Sequence, residues 1–292
     1  MGEFVGYLTN CFITGEEITR HEDGSWKRDR INLSFTGFDI TLLQMGDYLG
    51  GPLSQYRGQT IITTEVHVPA LTPHRFDELL EKLEGLADLL SFAIVSEVSL
   101  CGWDYPDHES HAQRRTVIAR AGGRCPVIEM DGAAVREFLQ ESWTKYFIER
   151  DKRKLPVAMA YFVIAETHAL HWQLKLASMF ILFENLKATY AAASGYPYIN
   201  GFYCKADGTR WSFKALLHEM FGVVSMSPDL ANIVALRNEI IHSGISQLPF
   251  SQQAEIYAQL RDISREYFVR LLGYTGPYFN HSDRGLKPVQ AC

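Results

Sequence analysis

The sequence predicts an α+β protein, with a mixed α/β domain over residues 1–150 and an all-α helical bundle over residues 151–292. Three observations predict it. The first half carries runs of β-branched and alternating apolar residues that suit a pleated, half-buried surface. Past Leu155, apolar residues recur at three- and four-residue spacing. Between the halves stands a charged segment, Glu149-Arg150-Asp151-Lys152-Arg153-Lys154, which reads as solvated surface or linker and marks the domain boundary. A chain of 292 residues suits about two domains.

In the first domain, Phe4 to Thr14 reads as a strand. Arg30 to Leu43 alternates in part, with Ile31, Leu33 and Phe35 on one face, and Gln59 to Val68 is rich in β-branched residues. A helix then opens at Leu71-Thr72-Pro73, with Thr72 as cap and Pro73 in the first position. Phe76, Leu79, Leu80, Leu83, Leu86 and Leu90 supply its apolar face, and Asp77, Glu78, Glu81 and Glu84 its acidic first turns. Further strands are expected over Ile94 to Leu100 and Arg115 to Ala121, and a short helix over Ala133 to Phe147.

The second domain reads as almost wholly helical. One apolar segment runs from Pro156 to about Leu174, and a second continues to Ala193 with Leu176, Met179, Phe180, Phe183, Leu186 and Tyr190 in register. Tyr196-Pro197 and Asp207-Gly208 mark loops. Phe213 to Val224 gives a short helix. Ser227-Pro228-Asp229 starts another, which Gly244 ends. Gln252 to Leu272 gives the last, closed by Gly273, and Tyr274 to Cys292 reads as a tail.

Hydrophobic residues make up 47% and charged residues 21%, a globular balance. Cys11, Cys101, Cys125, Cys204 and Cys292 are odd in number and scattered, so neither a disulfide framework nor a zinc ribbon is expected, and a reducing cytoplasm fits. The N-terminus lacks a signal-peptide pattern. The longest apolar run, Leu155 to Ala165, is too short to span a bilayer. Net charge is −6, but residues 1–150 carry 14 Lys/Arg against 23 Asp/Glu, and residues 151–292 carry 14 against 11. The resulting +3 of the second half is compatible with an anionic partner or with ordinary surface variation.

The chemistry-bearing stretch is Arg237-Asn238-Glu239-Ile240-Ile241-His242, followed by Ser243-Gly244. Arginine offers a planar fork of donors suited to phosphate, and histidine titrates near neutrality. At about 100° per residue, Leu230, Ile233, Val234, Ile240 and Ile241 share a stripe with Arg237 in its middle, and Asn238 and His242 stack on the flank. An arginine on an apolar face is costly unless it is paired or aimed at a ligand. Two readings follow. Either Arg237 neutralises a helical carboxylate such as Glu166 or Glu184, with His242 a surface residue, or the two line a cleft at an interface.

Ala235 to Gly244 also resembles the signature of the HEPN superfamily, which is arginine, a polar residue, three variable residues and histidine. The resemblance extends over residues 151–272, where Phe183-Glu184-Asn185-Leu186 falls in the second of two paired helices. The preceding half is similar in layout to the N-terminal regions of prokaryotic defence proteins of the ApeA type. The resemblance implies a metal-independent, cofactor-free endoribonuclease that works as a homodimer through the motif helix. Arg237 would bind the scissile phosphate, His242 would act as general base or acid, and Asn238 would orient one or the other. The implied products carry 2′,3′-cyclic phosphate and 5′-hydroxyl ends. The implied partners are RNA and a trigger or antitoxin protein. A non-catalytic HEPN-like module that binds RNA, a nucleotide or a protein is the alternative.

Other clusters are weaker. Asp104, Asp107, His108, Glu109 and His111 suit a polar surface loop. His168 and His171 share a helix face without a third ligand, and His218-Glu219 lacks the second histidine of a zinc protease. Trp103, Trp172, Trp211 and nearby tyrosines suit either a core or the stacking of bases.

Overall fold

A computed structural model of the chain describes residues 1–20, 24–46, 59–106, 125–166, 170–282 and 285–289. They form two compact units, Met1–Trp143 and Thr144–Cys292, and the fold is α+β.

The first unit is built on six antiparallel strands: β1 (Gly2–Thr9), β2 (Glu17–Arg20), β3 (Trp26–Leu33), β4 (Ile40–Gln44), β5 (Ile62–Leu71) and β6 (Ser99–Asp104). Their order is β2-β3-β4-β5-β1-β6. The expected strand over Arg30 to Leu43 is in fact two strands with a turn between them, and Gly37 takes a φ of 84° in that turn. Helix α1 (Phe76–Ile94) buries Leu79, Leu83, Leu86 and Leu90, as its spacing predicts. Its first residue stacks on Tyr105 at 5.5 Å and meets Phe4 edge-on at 6.2 Å. Thr72 makes no capping bond, because Pro73–Arg75 form a tighter 3₁₀ turn ahead of the helix. The strand expected at Ile94 begins five residues later: α1 runs to Ile94, and Val95 ends it with a left-handed φ of 52°. Thr14 N–H bonds the Met130 carbonyl at 2.9 Å, and there Gly132 comes so close to residues 14–16 that a Cβ would lie 2.7 Å from the Thr14 carbonyl. The strand expected over Arg115 to Ala121 lies outside the described residues.

Helix α2 (Gly132–Glu149) leads into the second unit, whose helices are α3 (Leu155–Glu166), α4 (Trp172–Ala193), α5 (Phe213–Gly222), α6 (Ala231–Ser243) and α7 (Phe250–Leu271). The first apolar segment does not run on to Leu174, since α3 ends at Glu166. Helices α3, α5 and α6 all pack against α4. Two hairpins interrupt the helices where the sequence suggests loop and tail: β7 (Tyr198–Ile199) with β8 (Phe202–Tyr203), and β9 (Pro277–Asn280) with β10 (Gly285–Pro288). No helix among the described residues is long and apolar enough to cross a membrane. The charged segment is not wholly solvated. Arg153 is buried, bonds the Tyr267 hydroxyl at 2.5 Å, and lies 5.2 Å from the Tyr190 ring.

The second unit is organised around a buried charge cluster. Glu166, at the end of α3, is 2% exposed. Arg261 of α7 grips both its oxygens through Nε and Nη2, and Arg265 reaches it at 3.5 Å. Arg265 Nη1 also donates to the Phe279 carbonyl, and Arg261 Nη1 lies 2.6 Å from His281 Nε2. Asp262 accepts the His281 backbone N–H at 2.6 Å. These bonds clip the terminal hairpin to α7.

A guanidinium can only donate, so His281 Nε2 must accept, and the ring is neutral. Burial and the Arg261 charge push its pKa down to about 4. An unfolded histidine protonates near 6.5, so between these values the unfolded chain binds the extra proton, and stability falls as pH falls. Burial alone would raise the Glu166 carboxyl, yet the charges of Arg265 and Arg261 hold it below the usual range. Its contribution is therefore present above the unfolded carboxylate value and is lost on further acidification. Urea midpoints of the second unit should decline from near neutrality downwards. In His281→Gln the decline should begin only in the carboxylate range, and an unchanged profile in that variant would remove His281 from the account.

Candidate functional site on helix α6

Helix α6 starts two residues after Asp229, whose Oδ1 accepts the Ala231 N–H at 3.0 Å, and Gly244 ends it with a φ of 75°. Its buried stripe is Ile233, Leu236 and Ile240. The sequence wheel misplaces the stripe slightly. Ile241 is exposed and Leu236 takes its place, because α6 is covered only on the side that meets α4 and α7. Arg237 thus flanks the stripe rather than occupying its middle.

Arg237 donates through Nη2 to Glu184 Oε1 on α4 and through Nη1 to Asn238 Oδ1 at 2.9 Å. Its guanidinium lies 4.9 Å from the centre of the Phe213 ring. Lys187, one turn after Glu184, donates to its second oxygen at 2.5 Å and rests on the same ring at 4.9 Å. One carboxylate therefore holds two cations against one aromatic ring, leaving a local excess of positive charge. Arg237 Nε is buried and has no hydrogen-bond partner among the described residues. Of the two carboxylates that the sequence offers to Arg237, the structure selects Glu184, and Glu166 belongs to the other cluster.

Asn238 is exposed, and among the described residues its side chain makes one hydrogen bond, accepted from Arg237. His242 is exposed in the last turn, one turn beyond Asn238, and its imidazole makes no hydrogen bond among the described residues. The structure thus brings Arg237 and Asn238 together and leaves His242 free beside them. Between them in sequence, Glu239 turns the other way and accepts from Ser246 Oγ at 2.6 Å and from the Gln247 N–H at 3.0 Å. That bond fixes the loop that follows His242. Nothing in the sequence assigns Lys187, Phe213 or Glu239 these parts at the site. The one local signal is the Glu184/Lys187 spacing of three, which pairs side chains on a helix.

Glu184→Gln would remove the charge that both cations share. The expected loss is about 1–2 kcal/mol of stability, between an exposed pair and a hydrogen bond to a buried charge. Urea denaturation would read it, and an unchanged midpoint would mean that Glu184 does not hold Arg237.

Among the described residues, no group of three or more His, Cys, Asp or Glu side chains is placed to hold a metal ion. Asp104 instead accepts from the Tyr7 hydroxyl at 2.6 Å, while Asp107, His108, Glu109, His111 and His168 lie outside the described residues. Trp172 donates to Gln253 Oε1 at 3.0 Å and packs on Phe250 and Tyr257. Comparison with protein-family models, with curated proteins and with solved structures finds no match to this chain.

Proposed function

We propose that this protein is a metal-independent endoribonuclease of the HEPN type, with Arg237, Asn238 and His242 as its reacting centre. The observation that carries the reading is the exposed face of α6. A braced, partly buried arginine stands at its edge, and the amide that bonds it and an unengaged histidine lie on it within two helical turns. Arg237 would neutralise the equatorial oxygens of the scissile phosphate as charge builds on them. His242 would take the proton of the ribose 2′-hydroxyl as O2′ attacks phosphorus. The O2′–P bond forms, the P–O5′ bond breaks, and O5′ leaves with a proton from a second imidazole. The products are a 2′,3′-cyclic phosphate and a 5′-hydroxyl, so DNA is not cut.

The second imidazole would come from a second copy of the chain. Five residues of helix separate Arg237 from His242 by roughly 140°, and one straight helix does not converge them. A two-fold axis beside α6 brings the same patch to both sides. Ile241 and Ile245, 38% and 55% exposed beside His242, give such an interface apolar surface. The first unit is then the natural place for target selection or for a trigger or antitoxin. A cytoplasmic site of action fits the free thiols of Cys11, Cys101 and Cys204.

A second reading has its own observation. Glu184 already occupies Nη2 of Arg237, which suits a structural arginine in a non-catalytic HEPN-like module that binds RNA, a nucleotide or a protein. Incubation of the purified protein with diverse RNAs, with and without EDTA, separates the two. The ribonuclease reading expects EDTA-insensitive cleavage and cyclic-phosphate ends. A folded dimer inert on every RNA would favour the binding module.

A further inference from the structure

The β7–β8 hairpin displays more aromatic surface than its own fold requires. Tyr198 is 65% exposed, Ile199 50% and Phe202 46%. Each strand is two residues long, and Asn200-Gly201, both at positive φ, make the turn between them. Tyr198 pairs with Tyr203, their rings 4.9 Å apart. The hairpin is tied to the chain that follows it: Trp211 N–H bonds the Tyr203 carbonyl at 2.9 Å, and Cys204 bridges Arg210. An exposed apolar patch of this kind marks a binding surface.

The patch is interleaved with cations. The Arg210 guanidinium lies over Phe202 at 4.2 Å, and Lys205 Nζ lies over Trp211 at 4.7 Å. Residues 196–214 hold Lys205, Arg210 and Lys214 against the single carboxylate of Asp207. The series does not stop at the hairpin. Tyr196 packs on Trp211 at 5.5 Å, Ser212 then caps α5, and Phe213 is the ring beneath Arg237 and Lys187. Phe202, Trp211 and Phe213 thus each carry a cation over the ring, and the cations over the last include the motif arginine.

We propose that this hairpin is a stacking platform for the unpaired bases of single-stranded RNA, feeding the strand to Arg237. Any base has a π face to stack on an exposed ring, and the adjacent cations match the phosphates. A paired helix offers phosphates but no free base faces, so the platform selects unpaired RNA. The proposal rests on Arg237 as the phosphate-binding residue of the ribonuclease reading, and it names the part of the substrate held away from the reaction.

The test uses the full chain carrying His242→Ala, so that RNA is bound and not consumed, with labelled poly(U) RNA and a fully paired RNA duplex as probes. Adding Tyr198→Ala and Phe202→Ala should weaken poly(U) binding about 10- to 100-fold, as expected for lost base stacking. Duplex binding should be unaffected. Arg210→Glu should lower the salt dependence of poly(U) binding. All four positions are exposed, and circular dichroism checks that the variants fold.

Poly(U) affinity unchanged by the aromatic pair would overturn the platform, as would absence of poly(U) binding or an equal loss on duplex. Dissociation of an oligomer by the pair, with RNA binding unaltered, would assign the surface to a second copy instead. Cleavage is read separately in the chain with His242 intact. Aromatic-dependent binding without any cleavage would uphold the platform and remove the ribonuclease reading. Cleavage with aromatic-independent binding would do the reverse.

Discussion

His242→Ala should reduce RNA cleavage by about 10²–10⁴-fold, the range for loss of a general acid or base. Stability should stay within about 0.5 kcal/mol, because the side chain is exposed and makes no hydrogen bond among the described residues. That contrast separates chemistry from folding. Arg237→Lys keeps the charge but loses the planar fork, so it should also be severely impaired. Unlike the histidine variant, it should lose stability too, since Arg237 bridges Glu184 and Asn238. The proposed two-fold cleft makes a further demand. Mixing His242→Ala with wild-type chains should lower activity below the share of wild-type chains, because a mixed dimer keeps one of the two imidazoles that the reaction uses. Full activity in His242→Ala would end the ribonuclease reading, and activity that simply follows the share of wild-type chains would end the shared cleft.

The same residues show what a sequence reveals and where it stops. The face of α7 is legible because one side of the helix is solvated, and the contrast prints a 3.6-residue period. Gly244 and Gly273 are legible as helix ends because each takes a φ of 75°, which side chains disfavour. The break after Glu166 is not legible. Helix α3 is apolar nearly all round, so its composition carries no period to interrupt. The β9–β10 hairpin is hidden for a different reason, since its strands are short and rich in Gly and Pro, and bonds from α7 hold it in place. At the site, the motif spacing is local and visible. The brace is not, because Glu184 lies 53 positions from Arg237 in sequence. Periodicity narrows Arg237 to a choice between two carboxylates, and only the packing of α6 on α4 decides between them.

The unused carboxylate carries the largest expected effect on stability. Glu166→Gln preserves shape and an acceptor but removes a negative charge that Arg261 and Arg265 share. Arg261 is 7% exposed and Arg265 is fully buried, so neither can turn to water to recover its solvation. Breaking a buried pair by removing one partner costs about 3–5 kcal/mol, mostly as the penalty of the charge left behind, and here two arginines lose the same carboxylate. The loss should therefore lie at the upper end of that range. Arg265→Met should cost less, although it deletes a larger side chain, because Glu166 and Arg261 remain as a balanced pair. That ordering is the discriminating result. If packing volume governed the cluster, Arg265→Met would be the worse of the two in urea denaturation. If charge governs it, Glu166→Gln is worse. Hydrogen exchange should then rise first at Asn280 and His281, where the hairpin meets α7 through Arg261 and Asp262.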